Sequence, residues 1–410
     1  MRKRTRAFFV SFGLALLFWI FSSISVELVR ARQEAKDLDD LKKMDNKPPI
    51  GSNVIGFYYG WYGNPQSNGR YYHWNHEVLV NEKDPLHKFY EPPEDIGADF
   101  YPELGLYSSH DEKLIDKHMR QMRDSGIRIV CISWWGNRNA DRQLGGDKGY
   151  TDRGTRLLLD AADRYDMKIA LHHEPYDGRS TSSVKEDLQY IVQEYGSHGA
   201  LYRRKEAGNL PVLFVYDPYH IQPKEWSDIL TVKGKNSIRG TTHDAILISL
   251  IVEKRDELLM TDGGFDGCYT YFATDGFTYG STTANWPDIA AFTRTNEKIF
   301  VPSVGPGYAD MRIRPWNGKN QRSREDGRYY DRMWESALSL VVQGDLMVPG
   351  MISVTSFNEW HEGTQIEPAV PKTSKKSGFK YLDYGELSPD HYLKRTLHFA
   401  TKYDEKRGDR

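Results

Sequence analysis

Ala245-Ile246-Leu247-Ile248-Ser249-Leu250-Ile251-Val252 carries no charge and a single small hydroxyl. An unbroken apolar run rich in β-branched residues, without the alternation of a half-exposed strand, marks a strand buried on both faces, as in parallel sheets. Outward from it, comparable strands are predicted at 53–60, 127–134, 168–174, 210–217, 265–272, 298–304 and 351–358, with this one at 244–253. Helix-like segments separate them. Over 110–125, Leu114, Ile115, His118, Met119 and Met122 fall on one face. Ser109 and Glu112 are spaced as a capping box, and Gly126 stands where a C-terminal cap belongs. A last helix begins at Ser388-Pro389 and carries Leu393, Leu397 and Ala400. Eight strand–helix alternations in about 350 residues predict an α/β fold, a (β/α)8 barrel of the TIM type. The alternative, a doubly wound open sheet, lacks a Gly-rich phosphate loop after its first strand.

A barrel of this kind places its site at the carboxyl ends of the strands. Those ends carry Tyr58, Tyr59, Trp61 and Tyr62, then Trp134 and Trp135, then His172, His173, Glu174 and Tyr176. Tyr216 and Asp217 follow the fourth strand, Tyr269 and Tyr271 the sixth, and Gly305, Gly307 and Tyr308 the seventh. The eighth runs from Met351 into Asn358-Glu359-Trp360-His361-Glu362. Two carboxylates held close cannot both ionise freely, so one takes up its proton more readily. That split supplies an acid and a base at one pH, the requirement of glycoside hydrolysis. Aromatic rings beside them suit the C–H faces of sugars. The competing reading is a solvated loop whose acids face water, and plain core packing accounts for part of the aromatic set. His172-His173-Glu174 resembles a metal cluster, but neighbours on a strand point to opposite faces. No metal is expected.

The totals bound the rest. The chain has 410 residues and a formal charge of -2, which argues against nucleic acid as a partner. Aromatics make up 13%, a surplus that fits sugar stacking and also a large core. Two cysteines, Cys131 and Cys268, lie in apolar strand-like runs and read as buried thiols rather than a bridge. Arg2, Lys3, Arg4 and Arg6 precede an uncharged stretch from Ala7 to Val26. Twenty helical residues rise about 30 Å, one bilayer core. The expected organisation is a cytosolic tail at 1–6, a transmembrane signal anchor at 7–26, a charged stem at 27–50 and a catalytic domain at 51–410. Basic residues before the apolar segment predict a single-pass type II protein with its catalytic domain lumenal. A cleaved signal peptide is the rival reading.

Several blocks together resemble glycoside hydrolase family 99. They are Phe57-Tyr-Tyr-Gly-Trp-Tyr-Gly-Asn-Pro-Gln66, Asp95-Ile-Gly-Ala-Asp-Phe-Tyr-Pro-Glu-Leu-Gly105, His118-Met-Arg-Gln-Met-Arg123 and Ser356-Phe-Asn-Glu-Trp-His-Glu-Gly-Thr-Gln-Ile-Glu367. Gly264 to Thr274, Pro302 to Tyr308 and Arg314-Pro-Trp-Asn317 add to the likeness, which spans about residues 53 to 405. The resemblance implies a retaining endo-α-1,2-mannosidase of the Golgi membrane, acting without metal or cofactor on glucosylated high-mannose N-glycans and releasing glucosyl-mannose. It implies catalysis through a 1,2-anhydro sugar, with Glu359 taking the proton from mannose O2 and Glu362 protonating the leaving oxygen. Glu174 and Tyr271 would line the mannose subsite, with Tyr59, Tyr216, Trp316, Asn358 and His361 as further substrate-binding residues. Ser133-Trp134-Trp135-Gly136 departs from the Ser-Trp-Tyr-Pro-Pro of animal members, so Trp135 bears on the choice between glucose and mannose. The alternatives are a related endo-mannanase accepting mannose, a Golgi glycosyltransferase with the same anchor and stem, and a catalytically dead lectin-like barrel. A monomer is expected.

Overall fold

Continuous apolar runs form the wall of a barrel in the computed structural model, which describes residues 53–81, 84–138, 147–345 and 347–408. The tail, anchor and stem predicted at 1–50 lie outside the described residues. Eight strands run in chain order: β1 (Val54–Tyr58), β2 (Ile129–Trp134), β3 (Lys168–His173), β4 (Leu210–Val215), β5 (Ile246–Leu250), β6 (Gly267–Tyr269), β7 (Ile299–Val301, continued by Ser303–Val304) and β8 (Ile352–Val354). All neighbouring pairs are parallel. Every residue of β1, β2 and β5 is buried, as their lack of alternation requires.

The ring closes within β7. Val301 pairs with Tyr269 of β6, whereas Ser303 pairs with Ser353 of β8. Pro302 lies between the two halves. Its missing N–H costs no ladder bond at this change of partner, and its carbonyl accepts from the Ser353 amide at 3.0 Å. Inside the barrel Phe57, His172, Phe214 and Tyr269 meet across strands that do not adjoin, with ring centroids 4.8 to 6.0 Å apart. This aromatic layer fills the interior beneath the carboxyl ends, and the site rests on it.

A helix follows each strand: α1 (Glu112–Asp124), α2 (Tyr150–Arg164), α3 (Thr181–Tyr195), α4 (Pro223–Leu230), α5 (Leu258–Thr261), α6 (Trp286–Thr295), α7 (Arg328–Ser339) and α8 (His391–Arg407). Of the predicted α1 face, Ile115, His118, Met119 and Met122 are buried and Leu114 is half-buried. The predicted cap does not form. The Ser109 hydroxyl accepts from the Tyr62 amide at 3.2 Å, so capping passes to Asp111, which accepts from Lys113 and Leu114. Gly126 follows the helix at φ +85°, the left-handed turn that glycine admits. The last helix begins at His391, because Ser388 spends its hydroxyl on Asp390 rather than on a helix amide. Beyond the barrel stands a two-stranded antiparallel hairpin, Glu77–Asn81 with Asp84–Phe89. No helix of the described residues is long and apolar enough to cross a membrane.

Candidate active site

The polypeptide leaving β8 folds into a loop tied to itself. The Ser356 amide donates to the Thr364 carbonyl at 2.9 Å, and their hydroxyls meet at 2.9 Å. The amides of Ile366 and Glu367 both donate to the Phe357 carbonyl. Within the loop the Glu359 amide donates to Ser356 Oγ, and the Thr364 amide returns to the Glu359 carbonyl. Gly363 turns the loop at φ +59°, and a Cβ there would sit 2.7 Å from the Ala309 carbonyl. That close approach lets the Ala309 amide donate to the Glu362 carbonyl at 2.8 Å.

Asn358 locks the loop to β1. Its side-chain amide donates to the Tyr59 carbonyl at 3.0 Å, and its Oδ1 accepts from the Tyr59 amide at 2.7 Å. The residue read as substrate-binding thus spends both halves of its amide on backbone. Trp360 points beneath the loop: its Nε1 donates to Tyr107 Oη at 2.9 Å and to Glu367 Oε2 at 3.1 Å. Glu367 is wholly buried and also receives Tyr107 Oη at 2.7 Å, with His118 Nε2 at 3.1 Å from its other oxygen. The imidazole of His361 places Nδ1 at 2.7 Å from the Gly97 carbonyl. It packs among the rings of Trp61, Tyr62, His73 and His76. Burial, then His76 and His73, holds its pKa well below the usual imidazole range, so it is neutral.

The two acids differ in surroundings. Glu359 is 3% exposed and accepts the His361 amide at 3.0 Å. Burial, and next the neighbouring Glu362 charge, pushes its pKa well above the ordinary carboxylate value. Glu362 keeps 21% of its side chain exposed, and Arg314 Nη1 donates to its Oε1 at 3.2 Å. Burial raises its pKa too, while Arg314 opposes the rise. Arg314 is itself held by Asp310 at 3.2 Å, and Asp310 further accepts from Tyr308, Asn317 and Gln321. The arrangement gives one carboxyl that favours its proton and a second, open to the cleft, whose charge is moderated by a fixed cation.

Tyrosines line the opposite wall. The hydroxyls of Tyr59 and Tyr271 share a short hydrogen bond. Tyr271 stands at φ +50°, a backbone region that a non-glycine residue adopts only under constraint, and its amide is pinned by Ser303 Oγ at 2.7 Å. Burial foremost keeps both phenols protonated, with Glu359 and Glu362 adding to the effect. Glu174 accepts from Ser133 Oγ at 2.7 Å and lies 3.1 Å from His172 Nδ1. Tyr216 packs edge-on against His172 and Tyr271. His172 thus faces the barrel interior, whereas His173 turns outward to Asp187 at 2.8 Å. Among the described residues no group of three or more His, Cys, Asp or Glu is arranged to hold a metal ion. Cys131 and Cys268 are buried free thiols.

The sequence-predicted residues therefore meet at one end of the barrel, with two placed further out. Trp135 is half-buried beside the β2 end, its amide on Thr151 Oγ1. Trp316 is 42% exposed and donates to the Leu79 carbonyl of the hairpin. Arg314, Asp310, Glu367 and His118 were not read as site residues. Arg314 lies 48 positions before its carboxylate partner, and no local pattern joins them.

Paired, unequal carboxyls in an aromatic cleft at the mouth of a parallel barrel define a glycoside hydrolase. The chain belongs to glycosyl hydrolase family 99, whose family model matches residues 49–405. It is similar to the glycoprotein endo-alpha-1,2-mannosidase of Rattus norvegicus, 44% identical over 371 residues, 89% of this chain and 78% of that one. The Xenopus laevis protein of the same name is 44% identical over 369 residues, 88% of this chain and 79% of that one. Among solved structures, the GH99 endo-alpha-mannosidase from Bacteroides thetaiotaomicron aligns with a TM-score of 0.78 at 41% identity, covering 88% of this chain and 99% of that one.

Proposed function

We propose that this chain is a retaining endo-α-1,2-mannosidase that cuts the internal α-1,2-mannosidic bond of glucosylated high-mannose N-glycans. The observation that carries the reading is the pair Glu359 and Glu362 on one loop, both with raised proton affinity but only the second bonded to Arg314. In an α-mannoside O2 and the anomeric oxygen are trans, so O2 can displace the leaving group from behind. Glu359 acts in its ionised form, which burial makes the stronger base, and removes the O2 proton as that bond forms. Glu362, open to the cleft, protonates the departing oxygen and then activates the water that opens the 1,2-anhydro sugar. Two inversions give net retention. Tyr59, Tyr271 and Glu174 bound the pocket for the ring that is attacked.

Trp135 bounds the neighbouring subsite on this reading. Among the described residues its buried indole Nε1 has no hydrogen-bond partner, which suits a sugar hydroxyl and keeps mannose a rival to glucose there. The uncharged segment Ala7–Val26 behind a basic tail supports a single-pass type II membrane protein, which we propose is a monomer of the Golgi. The test is to incubate the protein with glucosylated and unglucosylated high-mannose glycans, weigh the products and follow the anomer by NMR. Release of a glucosyl-mannose saccharide of retained configuration is expected. Exo-trimming by single residues, inversion, or no cleavage would overturn the reading.

A further inference from the structure

A cavity of about 850 Å³ lies between the loop after β7, from Tyr308 to Asp326, and the segment Lys380–Gly385 that leads to α8. Ligand pockets commonly measure about 300–1,000 Å³. The cavity shares the catalytic face, because the amino ends of α7 and α8 (Arg328 and Tyr392) line it and these follow the carboxyl ends of β7 and β8. It also adjoins the acid pair. Gly363, part of its wall, follows Glu362 directly, and the hydroxyl of Tyr308, another wall residue, lies 3.3 Å from Arg314 Nη1. Arg314 in turn bonds Glu362. A general acid stands beside the leaving oxygen, so space next to Glu362 is on the leaving-group side of the cut.

The wall is rigid and mixed in chemistry. Arg324, 9% exposed, donates to the carbonyls of Gly363 and Gln365 at 2.9 and 2.8 Å. Its guanidinium sits 4.6 to 4.8 Å from the ring centres of Phe100, Tyr384 and Tyr392. That cage holds the catalytic loop and the cavity floor as one piece. Around the opening stand Ser323, Lys380 and Asp383 beside the rings of Tyr308 and Tyr384. Charges of both signs among aromatic faces suit a neutral, hydroxyl-rich ligand rather than an anion. A high-mannose glycan is branched, and everything but the severed arm's tip leaves on the Glu362 side.

We infer that this cavity receives a second mannose arm of the leaving glycan, so that the protein reads branching as well as the linkage it cuts. The inference rests on the endo-mannosidase reading above and adds a subsite to it. Its test compares kcat/KM for a branched high-mannose glycan with that for the linear saccharide of the cleaved arm alone. The wild type should prefer the branched substrate. Ser323→Trp, which fills the cavity from an exposed position, should lower kcat/KM for the branched glycan by about tenfold, the loss expected for one or two hydrogen-bonded contacts, and leave the linear substrate unchanged. Lys380→Ala, a solvent-facing change that spares the fold, should act in the same direction. Both variants are checked for an unshifted Tm. No wild-type preference for the branched glycan, or a branched-to-linear ratio that Lys380→Ala leaves unaltered, would overturn the inference while leaving endo-cleavage intact. A wild type that cleaves neither substrate would overturn both readings.

Discussion

Glu359 and Glu362 stand three positions apart on one loop, yet each meets a different environment. For Glu359 burial dominates, and among the described residues no cation bonds it directly. The native state therefore holds a proton that the unfolded chain releases at about pH 4.3. Between that value and the raised native pKa, the folded state binds more protons, so stability falls as pH rises. Glu359→Gln removes this cost and can still accept the His361 amide. Its Tm should exceed that of the wild type at neutral pH, and the gap should close as pH falls toward 4. A gap that widens on acidification would show that the carboxylate is stabilised in place. For Glu362 the fixed cation opposes the rise. Arg314→Met should raise the Glu362 pKa further and move the alkaline limb of kcat/KM to higher pH, because a general acid works only while protonated. A limb moving downward would contradict the assignment. At this scale the sequence exposed the acids and several aromatics but not their partners. Arg314 and Asp310 come from the loop after β7, and only the closed barrel brings them beside acids that follow β8.

Elements explain how the loop keeps its shape. Glu367 ends it, and the helix α1 answers with His118 at 3.1 Å, both side chains fully buried. Tyr107 and Trp360 complete the set. Glu367→Ala would leave His118 Nε2 and the Tyr107 O–H buried without their acceptor, and the Trp360 indole with Tyr107 alone. Each buried donor stranded in this way costs about 1–3 kcal/mol, read as a lower denaturant midpoint, and activity should fall with it. A loss under about 1 kcal/mol would mean that water replaces the carboxylate. The 3.6-residue period placed His118 on the buried face of α1, but its partner lies 249 positions away and left no trace in the local pattern. Capping failed for a related reason. Ser109 has the right identity and spacing for a cap, and a long-range bond from Tyr62 took its hydroxyl instead. The hairpin at 77–89 was not read at all. Its second strand carries Pro85, which speaks against a strand in sequence and is tolerated here in an isolated two-stranded pair.

For the molecule as a whole, the periodic signal was strong. Runs such as Ile246–Leu250 are apolar but for one serine because sheet and helices cover both faces, and eight of them leave few architectures. Closure was less visible, since it depends on β7 changing partners at Pro302. The consequence is functional. A closed barrel brings Tyr59 from β1, Tyr271 from β6 and the two acids from β8 around one small space, with Trp360 and Asn358 turned into the scaffold to hold them there. On the proposed mechanism the two acids divide the work on one sugar. That division is tested most directly by comparing Glu362→Gln and Glu359→Gln on a natural glycan and on an α-glycosyl fluoride, whose leaving group needs no proton. Glu362→Gln should lose about 10²–10⁴-fold on the glycan, the usual worth of a general acid, and keep most of the wild-type rate in the first step on the fluoride. Glu359→Gln should be inactive on both, because the O2 nucleophile is never formed. A covalent glycosyl-enzyme trapped on either residue, or fluoride cleavage by Glu359→Gln at the wild-type rate, would contradict the account and make one carboxylate the nucleophile.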